Sequence, residues 1–152
     1  MSKSVRLAIH DGKHFKATGI REFWADIIIH DGRINLDLCA GFVHGNNLPM
    51  KGGKRELAIF RMEVYPEVRR QGIGREAIRL LSDMFANIFR GTAPDKLEEH
   101  LFLSACGFRC TGINANGEYI FNTKANTDRE FHVYRPHVGW QALTSPTNPR
   151  YD

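Results

Sequence analysis

Residues 59–89, IFRMEVYPEVRRQGIGREAIRLLSDMFANIF, constrain this chain more than any other stretch. A β-type run ends at Val64-Tyr65-Pro66, and the turn Arg69-Arg70-Gln71-Gly72-Ile73-Gly74 follows it. Gly72 and Gly74 carry no Cβ, so the chain can bend tightly there and bring its N–H groups close to a bulky anion. Directly behind them Ala77, Ile78, Leu80, Leu81, Met84, Phe85 and Ile88 recur at three- and four-residue spacing. That period predicts a helix with one apolar face for a sheet, leaving Arg75, Glu76, Arg79 and Asp83 mainly on the other side. The first amides of such a helix have no partner inside it, and the aligned peptide dipoles make that end positive. Arg69, Arg70 and Arg75 add mobile charge. Strand, glycine turn and helix together predict a phosphorylated cofactor held by backbone amides.

Three kinds of turn use this device. A P-loop needs Gly-Lys-Ser/Thr after its last glycine, whereas Gly74 is followed by Arg75-Glu76. A dinucleotide turn is met in its letters by residues 72–77, but it would follow its strand directly and lead to an acidic ribose partner. Here 66–71 intervene, and no clear parallel strand with an acidic end comes after the helix. The third kind fits best. The run Val64-x-Pro66-Glu67-x-Arg69-Arg70-Gln71-Gly72-Ile73-Gly74-Arg75-x-Ala77 resembles the acyl-CoA-binding motif of the GNAT superfamily of N-acetyltransferases, whose core Gln/Arg-x-x-Gly-x-Gly/Ala is filled by Arg69, Gly72 and Gly74. Downstream, residues 102–108 resemble the family's Phe-Tyr-x-x-x-Gly-Phe segment, with Gly107 as a left-handed helix cap and Phe108 as the first core residue of a strand.

The resemblance implies an acetyl-CoA cofactor. It places Arg69, Arg70, Gln71, Gly72, Ile73, Gly74 and Arg75 around the pyrophosphate and the backbone of Met62, Glu63 and Val64 beside the pantetheine arm. It also carries three departures. Family members usually set about two helices between the first two strands, walling the acceptor site, and the interval 13–23 is too short for them. The fifth strand must be very short, around 88–92, or missing. The family's general-acid tyrosine is Leu103 here.

Composition bounds the rest. At 152 residues and 42% hydrophobic, with ten Phe, four Tyr and two Trp, the chain supports one domain with a packed core. The expected fold class is α/β (α+β): a mixed, mainly antiparallel sheet, one long cofactor-binding helix and one short helix. The expected domain is 1–133, with an extended tail over 134–152 that holds Pro136, Pro146 and Pro149. A net charge of +4 suits an anionic cofactor and is too weak and too evenly spread to argue for nucleic acid. No apolar stretch reads as a signal or membrane span, and Cys39, Cys106 and Cys110 show no paired spacing, so a reduced, cytoplasmic setting is expected.

Hairpin turns are expected at His10-Asp11-Gly12-Lys13, at Asp31-Gly32 and at Asn116-Gly117, and a loop over 44–54 ahead of a strand over 57–64. Asp95 or Thr92 is expected to cap the short helix.

Acetyl transfer to an amine needs a neutral amine, a donor for the developing oxyanion and a proton for the leaving thiolate. Glu63 and Glu56 are the candidate bases, each set against a plain surface carboxylate or a partner for Arg61. Ser104 is the candidate acid, with Cys106, Tyr119 and His100 as competitors. The seven histidines show no metal spacing, so no metal is expected. Trp24 and Trp140 read as packing residues. The acceptor is an amine on a protein, an aminoacyl-tRNA or a small molecule, and missing walls favour a macromolecule. A catalytically reduced binding or inhibitory module is the alternative.

Overall fold

The computed structural model describes residues 4–124, and beyond them the backbone of two strands, 132–135 and 139–142. The elements run β1 (Ser4–Phe15), β2 (Ile20–Asp31), β3 (Leu36–Pro49), β4 (Arg55–Val64), α1 (Ile73–Met84), β5 (Asn87–Thr92), α2 (Leu97–Ala105), β6 (Arg109–Ile113), β7 (Tyr119–Asn122), β8 (His132–Arg135) and β9 (Gly139–Ala142). This is the mixed, mainly antiparallel α/β class expected from the sequence. The chain divides into two compact units, Met1–Ile88 and Phe89–Asp152. The boundary expected between 133 and 134 lies largely outside the described residues. No described helix is long and apolar enough to cross a membrane.

In the first unit β1, β2, β3 and β4 form an antiparallel meander. β2 alternates strictly: Phe23, Ala25, Ile27 and Ile29 are buried while Glu22, Trp24, Asp26 and Ile28 are part-exposed. That period of two assigns one face to the core and one to solvent. Against the core side lies the apolar stripe of α1, Ile73, Ala77, Ile78 and Leu81. Phe85, just past the helix, meets Phe23 edge-on with ring centroids 5.3 Å apart. Each fully buried Ile or Leu contributes about 1.5–3 kcal/mol, so this one interface dominates the stability of the unit.

A four-residue turn over 16–19 joins β1 to β2, closed by the Gly19 N–H donating to the Phe15 carbonyl. No helix intervenes, as the short interval foretold. The turn expected at Asp11-Gly12 is not one: those residues stay in β1 at a bulge between Asp11 and His14. A Cβ on Gly12 would meet the Glu22 carbonyl at 2.6 Å, so Gly12 serves close strand approach, not reversal. The Asp31-Gly32 turn is observed, with the Asp31 carboxylate accepting from the Arg33 N–H at 3.0 Å. The loop expected over 44–54 is mostly strand: β3 runs on to Pro49 and pairs with β4, because the polar side chains of 44–47 belong to a sheet with a solvated face. Arg55 fastens this end, donating to the Asn47 side chain at 2.6 Å and the Gly19 carbonyl at 2.8 Å.

At the far end of the meander, Asp37 accepts from Arg6 at 3.2 Å and lies 2.9 Å from His30 Nδ1. The His30 hydrogen bond, then Arg6, holds the Asp37 carboxyl below its usual 3.8. A carboxylate depressed on folding stabilises above its unfolded pKa, and that stability is lost as pH falls through the folded one. Asp37→Asn is therefore expected to lower the melting temperature slightly at pH 6 and to converge with the parent only once pH has fallen below the depressed carboxyl value. A constant offset across that range would show the pairing to be energetically silent.

In the second unit, β5 pairs with β7, β7 with β6, β6 in parallel with β8, and β8 with β9. The fifth strand is present and short, as anticipated. α2 begins after Lys96 with no side-chain cap, so neither Asp95 nor Thr92 caps it. Its end matches expectation: Gly107 is left-handed at φ 97°, and the Phe108 N–H donates to the Leu103 carbonyl at 3.0 Å and the Gly107 N–H to that of Ser104 at 3.1 Å. This is a Schellman closure, with buried Phe108 leading into β6. The hairpin at 114–117 is also as expected, its Asn114 N–H donating to the Glu118 carbonyl at 2.9 Å.

Candidate functional site

The site is built where β4 gives way to α1. Gly45 pairs with Ile59 and His44 with Arg61, which leaves Phe60 unopposed as a β-bulge. Bulges bend and twist a strand locally and free part of its backbone from the ladder. Two glycines of β3 accompany this one. A Cβ on Gly41 would fall on the Glu63 carbonyl oxygen, and one on Gly45 on the Ala58 carbonyl oxygen. Neither glycine stood out in the sequence, because only the strand register reveals what each one faces.

After Val64 the Tyr65 N–H donates to the Ala40 carbonyl at 2.8 Å, the last tie to β3. Residues Pro66–Val68 make one 3₁₀ turn, with proline at its start where a missing N–H costs nothing. The chain then reverses through two left-handed residues, Arg70 at φ 64° and Gly72 at φ 75°. For arginine this conformation is uncommon and costs about 1–2 kcal/mol. Arg69 braces the turn, its Nε donating to the Val64 carbonyl at 2.7 Å. It therefore acts on the strand end as well as lying in the motif.

The first bond inside α1 runs from the Glu76 N–H to the Gly72 carbonyl at 3.0 Å. The N–H groups of Ile73, Gly74 and Arg75 thus have no acceptor in the helix, and Gly72 supplies no side-chain cap. Nothing lies within 4 Å of the place a Gly72 Cβ would occupy. Arg70, Gln71 and Arg75 are exposed around this opening, and among the described residues neither Arg70 nor Arg75 has a carboxylate partner. Amides without an acceptor in the helix, open space beside Gly72, a positive helix end and guanidinium groups without a carboxylate among the described residues suit a pyrophosphate, so the residues present fit the CoA group the motif implies.

The other candidates are distributed differently. Met62 is part-buried opposite Val43, and Val64 is buried opposite Gly41, with its carbonyl on Arg69. Glu63 shares the solvent face with Phe42, and its Oε2 accepts from Arg61 at 3.2 Å. Glu56 sits at the other end of β4, accepting from Asn87 at 3.3 Å. Six strand residues lie between the two glutamates, a span of roughly 20 Å, so they cannot serve one reacting centre. Ser104 is exposed on α2 in the second unit. Leu103, at the family's tyrosine position, is 2% exposed in that unit's core. Tyr65 was not singled out by sequence. Its phenol is pushed up, chiefly by burial and then by Cys39, with the Glu63 and Asp26 charges adding, so it stays protonated beside the strand end.

A model of the acetyltransferase (GNAT) family matches residues 6–108. No match emerges among curated proteins. Among solved structures, a domain from Methanocaldococcus jannaschii DSM 2661 aligns with a TM-score of 0.50 at 14% identity, over 66% of this chain and 65% of that one. This chain therefore spans just under two thirds of that structure, and the likeness concerns the fold. An acetyltransferase from Thermus thermophilus aligns at TM-score 0.46 and 13% identity, over 68% of this chain and 62% of its own. A spermidine N-acetyltransferase SpeG chimera from Vibrio cholerae and hSSAT aligns at 0.41 and 19%, over 65% and 64%. The family model covers more than half of the chain and contains the whole turn from Val64 to Ala77, so the protein belongs to the GNAT family of acetyltransferases.

Proposed function

We propose that this protein is an acetyl-CoA-dependent N-acetyltransferase that passes the acetyl group directly to an amine. The observation that carries this is the turn at Gly72, where the N–H groups of Ile73, Gly74 and Arg75 have no acceptor in the helix and the space beside Gly72 is open, in a chain of the acetyltransferase family. When bound, acetyl-CoA supplies an acetyl thioester. The N–H groups of Ile73, Gly74 and Arg75 hold the pyrophosphate, with Arg70 and Arg75 lending charge. The bulged end of β4 orients the pantetheine arm through the backbone of Met62 and Val64. Glu63 takes the proton from the attacking amine, which forms the new C–N bond as the C–S bond breaks and its electron pair leaves with sulfur. The protonated Tyr65 phenol lies at the same strand end and suits the return of a proton.

Glu63→Gln is expected to lower turnover about 100-fold while leaving the acetyl-CoA-induced rise in melting temperature intact. Unchanged turnover would move the base elsewhere. The function itself is tested by incubating the protein with acetyl-CoA and amines of several classes, following thiol release and acetyl mass gain. Binding of acetyl-CoA without turnover on any class would favour a binding module, which the buried Leu103 at the tyrosine position also supports.

A further inference from the structure

The side of the first sheet facing away from α1 is not an ordinary solvated face. Four rings from three strands follow one another across it: Phe42 stacks on Trp24 at 5.3 Å and 6°, Trp24 meets His44 at 4.8 Å, and His44 meets Phe60 edge-on at 5.9 Å. Carboxylates flank this strip. Asp26 accepts from the Trp24 indole at 3.4 Å, Glu22 lies 3.9 Å from His44, and Glu63 is opposite Phe42 in register. Arg61 places its guanidinium 5.3 Å from the Phe42 ring centre, so the strip already receives one cation on an aromatic face.

The charge of this face opposes that of the chain. By strand register, outside the bulge between Asp11 and His14, it carries five carboxylates, Glu22, Asp26, Asp37, Glu56 and Glu63, against two guanidinium groups, Arg6 and Arg61, an excess of three negative charges with histidines neutral. The whole protein is +4. Its side chains are also open, with Glu22 40%, Asp37 51% and His10 53% exposed. An acidic, ring-bearing surface on a basic protein is complementary to a cation with an apolar stem, which is what Lys and Arg side chains are.

We propose that this sheet face docks an extended basic polypeptide segment, whose Lys or Arg side chains lie along the ring strip at Trp24, between the Asp26 and Glu22 carboxylates. That the docked chain is also the amine acceptor rests on the acetyl-transfer function above; the docking does not. The test is fluorescence anisotropy of a labelled Lys/Arg-rich peptide with the full chain, without acetyl-CoA, beside a Glu-rich peptide of equal length and with spermidine as competitor. The basic peptide should bind, weaken with added salt, and resist spermidine. Trp24→Leu and, separately, the exposed Glu22→Lys should each weaken binding about tenfold. Glu22→Lys keeps the test valid if the tryptophan variant fails to fold, with melting temperature as the control. Equal binding of both peptides, displacement by spermidine alone, or unchanged affinity in Glu22→Lys would overturn the proposal. A peptide that binds as predicted and is never acetylated would leave the docking face standing and count against the transferase function.

Discussion

Gly72→Val is expected to remove the stabilisation by acetyl-CoA almost completely. Gly72 sits at φ 75° with nothing within 4 Å of its absent Cβ. A branched side chain meets no neighbour there, so its cost to the free protein is conformational, about 1–2 kcal/mol. The larger effect falls on the ligand. The new methyl groups would enter the open space beside the turn, which the proposed phosphate is to occupy. Losing one or two charge-assisted hydrogen bonds, at about 1.5–3 kcal/mol each, raises Kd by about 100-fold. At a concentration that stabilises the parent by about 2.7 kcal/mol, the variant would then gain only about 0.4 kcal/mol. The melting temperature with and without acetyl-CoA measures this directly. An undiminished rise in Gly72→Val would mean that the cofactor does not sit on this turn.

Gly41→Val should strongly destabilise the first unit. Its Cβ would coincide with the Glu63 carbonyl oxygen, which is backbone and cannot swing aside as a side-chain tip would. β3 and β4 must then separate, along with the Tyr65-to-Ala40 hydrogen bond just beyond them. Overpacking of this kind costs about 3 kcal/mol or more, a fall of roughly 6–12 °C in melting temperature for a chain of this size. Gly32→Ala is the control: no atom lies within 4 Å of that position and its φ is not positive, so a change within about 0.5 kcal/mol is expected. A Gly41 variant as stable as the Gly32 one would show that β4 yields freely at this point. The bulged strand end could not then be a rigid support for the pantetheine arm.

Much of the fold was legible because its signals are local. The apolar period of 77–84 marks α1, whereas Phe85 and Ile88, which continue that spacing in the sequence, lie beyond the helix, Ile88 in β5; Gly107-Phe108 marks a helix cap whatever surrounds it. Asp31-Gly32 and Asn116-Gly117 form turns as expected. Asp11-Gly12 carries the same letters as Asp31-Gly32 and forms none, since Gly12 is needed for close contact with Glu22 on the neighbouring strand. The stretch 44–49 reads as loop by its polar residues, yet it pairs with β4.

The candidate site divides along the same line. A turn whose φ values demand glycine, followed by a helix start, announces an anion cradle from residue types alone, because both φ preference and unpaired amides are properties of a short segment. What lies across from those residues is set by register and by twist between distant strands. The sequence by itself therefore determined the turn at Gly72, the helix behind it and the family they imply. Only the tertiary structure decided that Arg69 braces the strand end and that Glu56 and Glu63 stand at opposite ends of β4. It also decided that Gly41 and Gly45 let the strands close, and that Trp24, Phe42, His44 and Phe60 meet as one strip. Each of those facts depends on which residue of another strand is brought opposite, and no local preference encodes that.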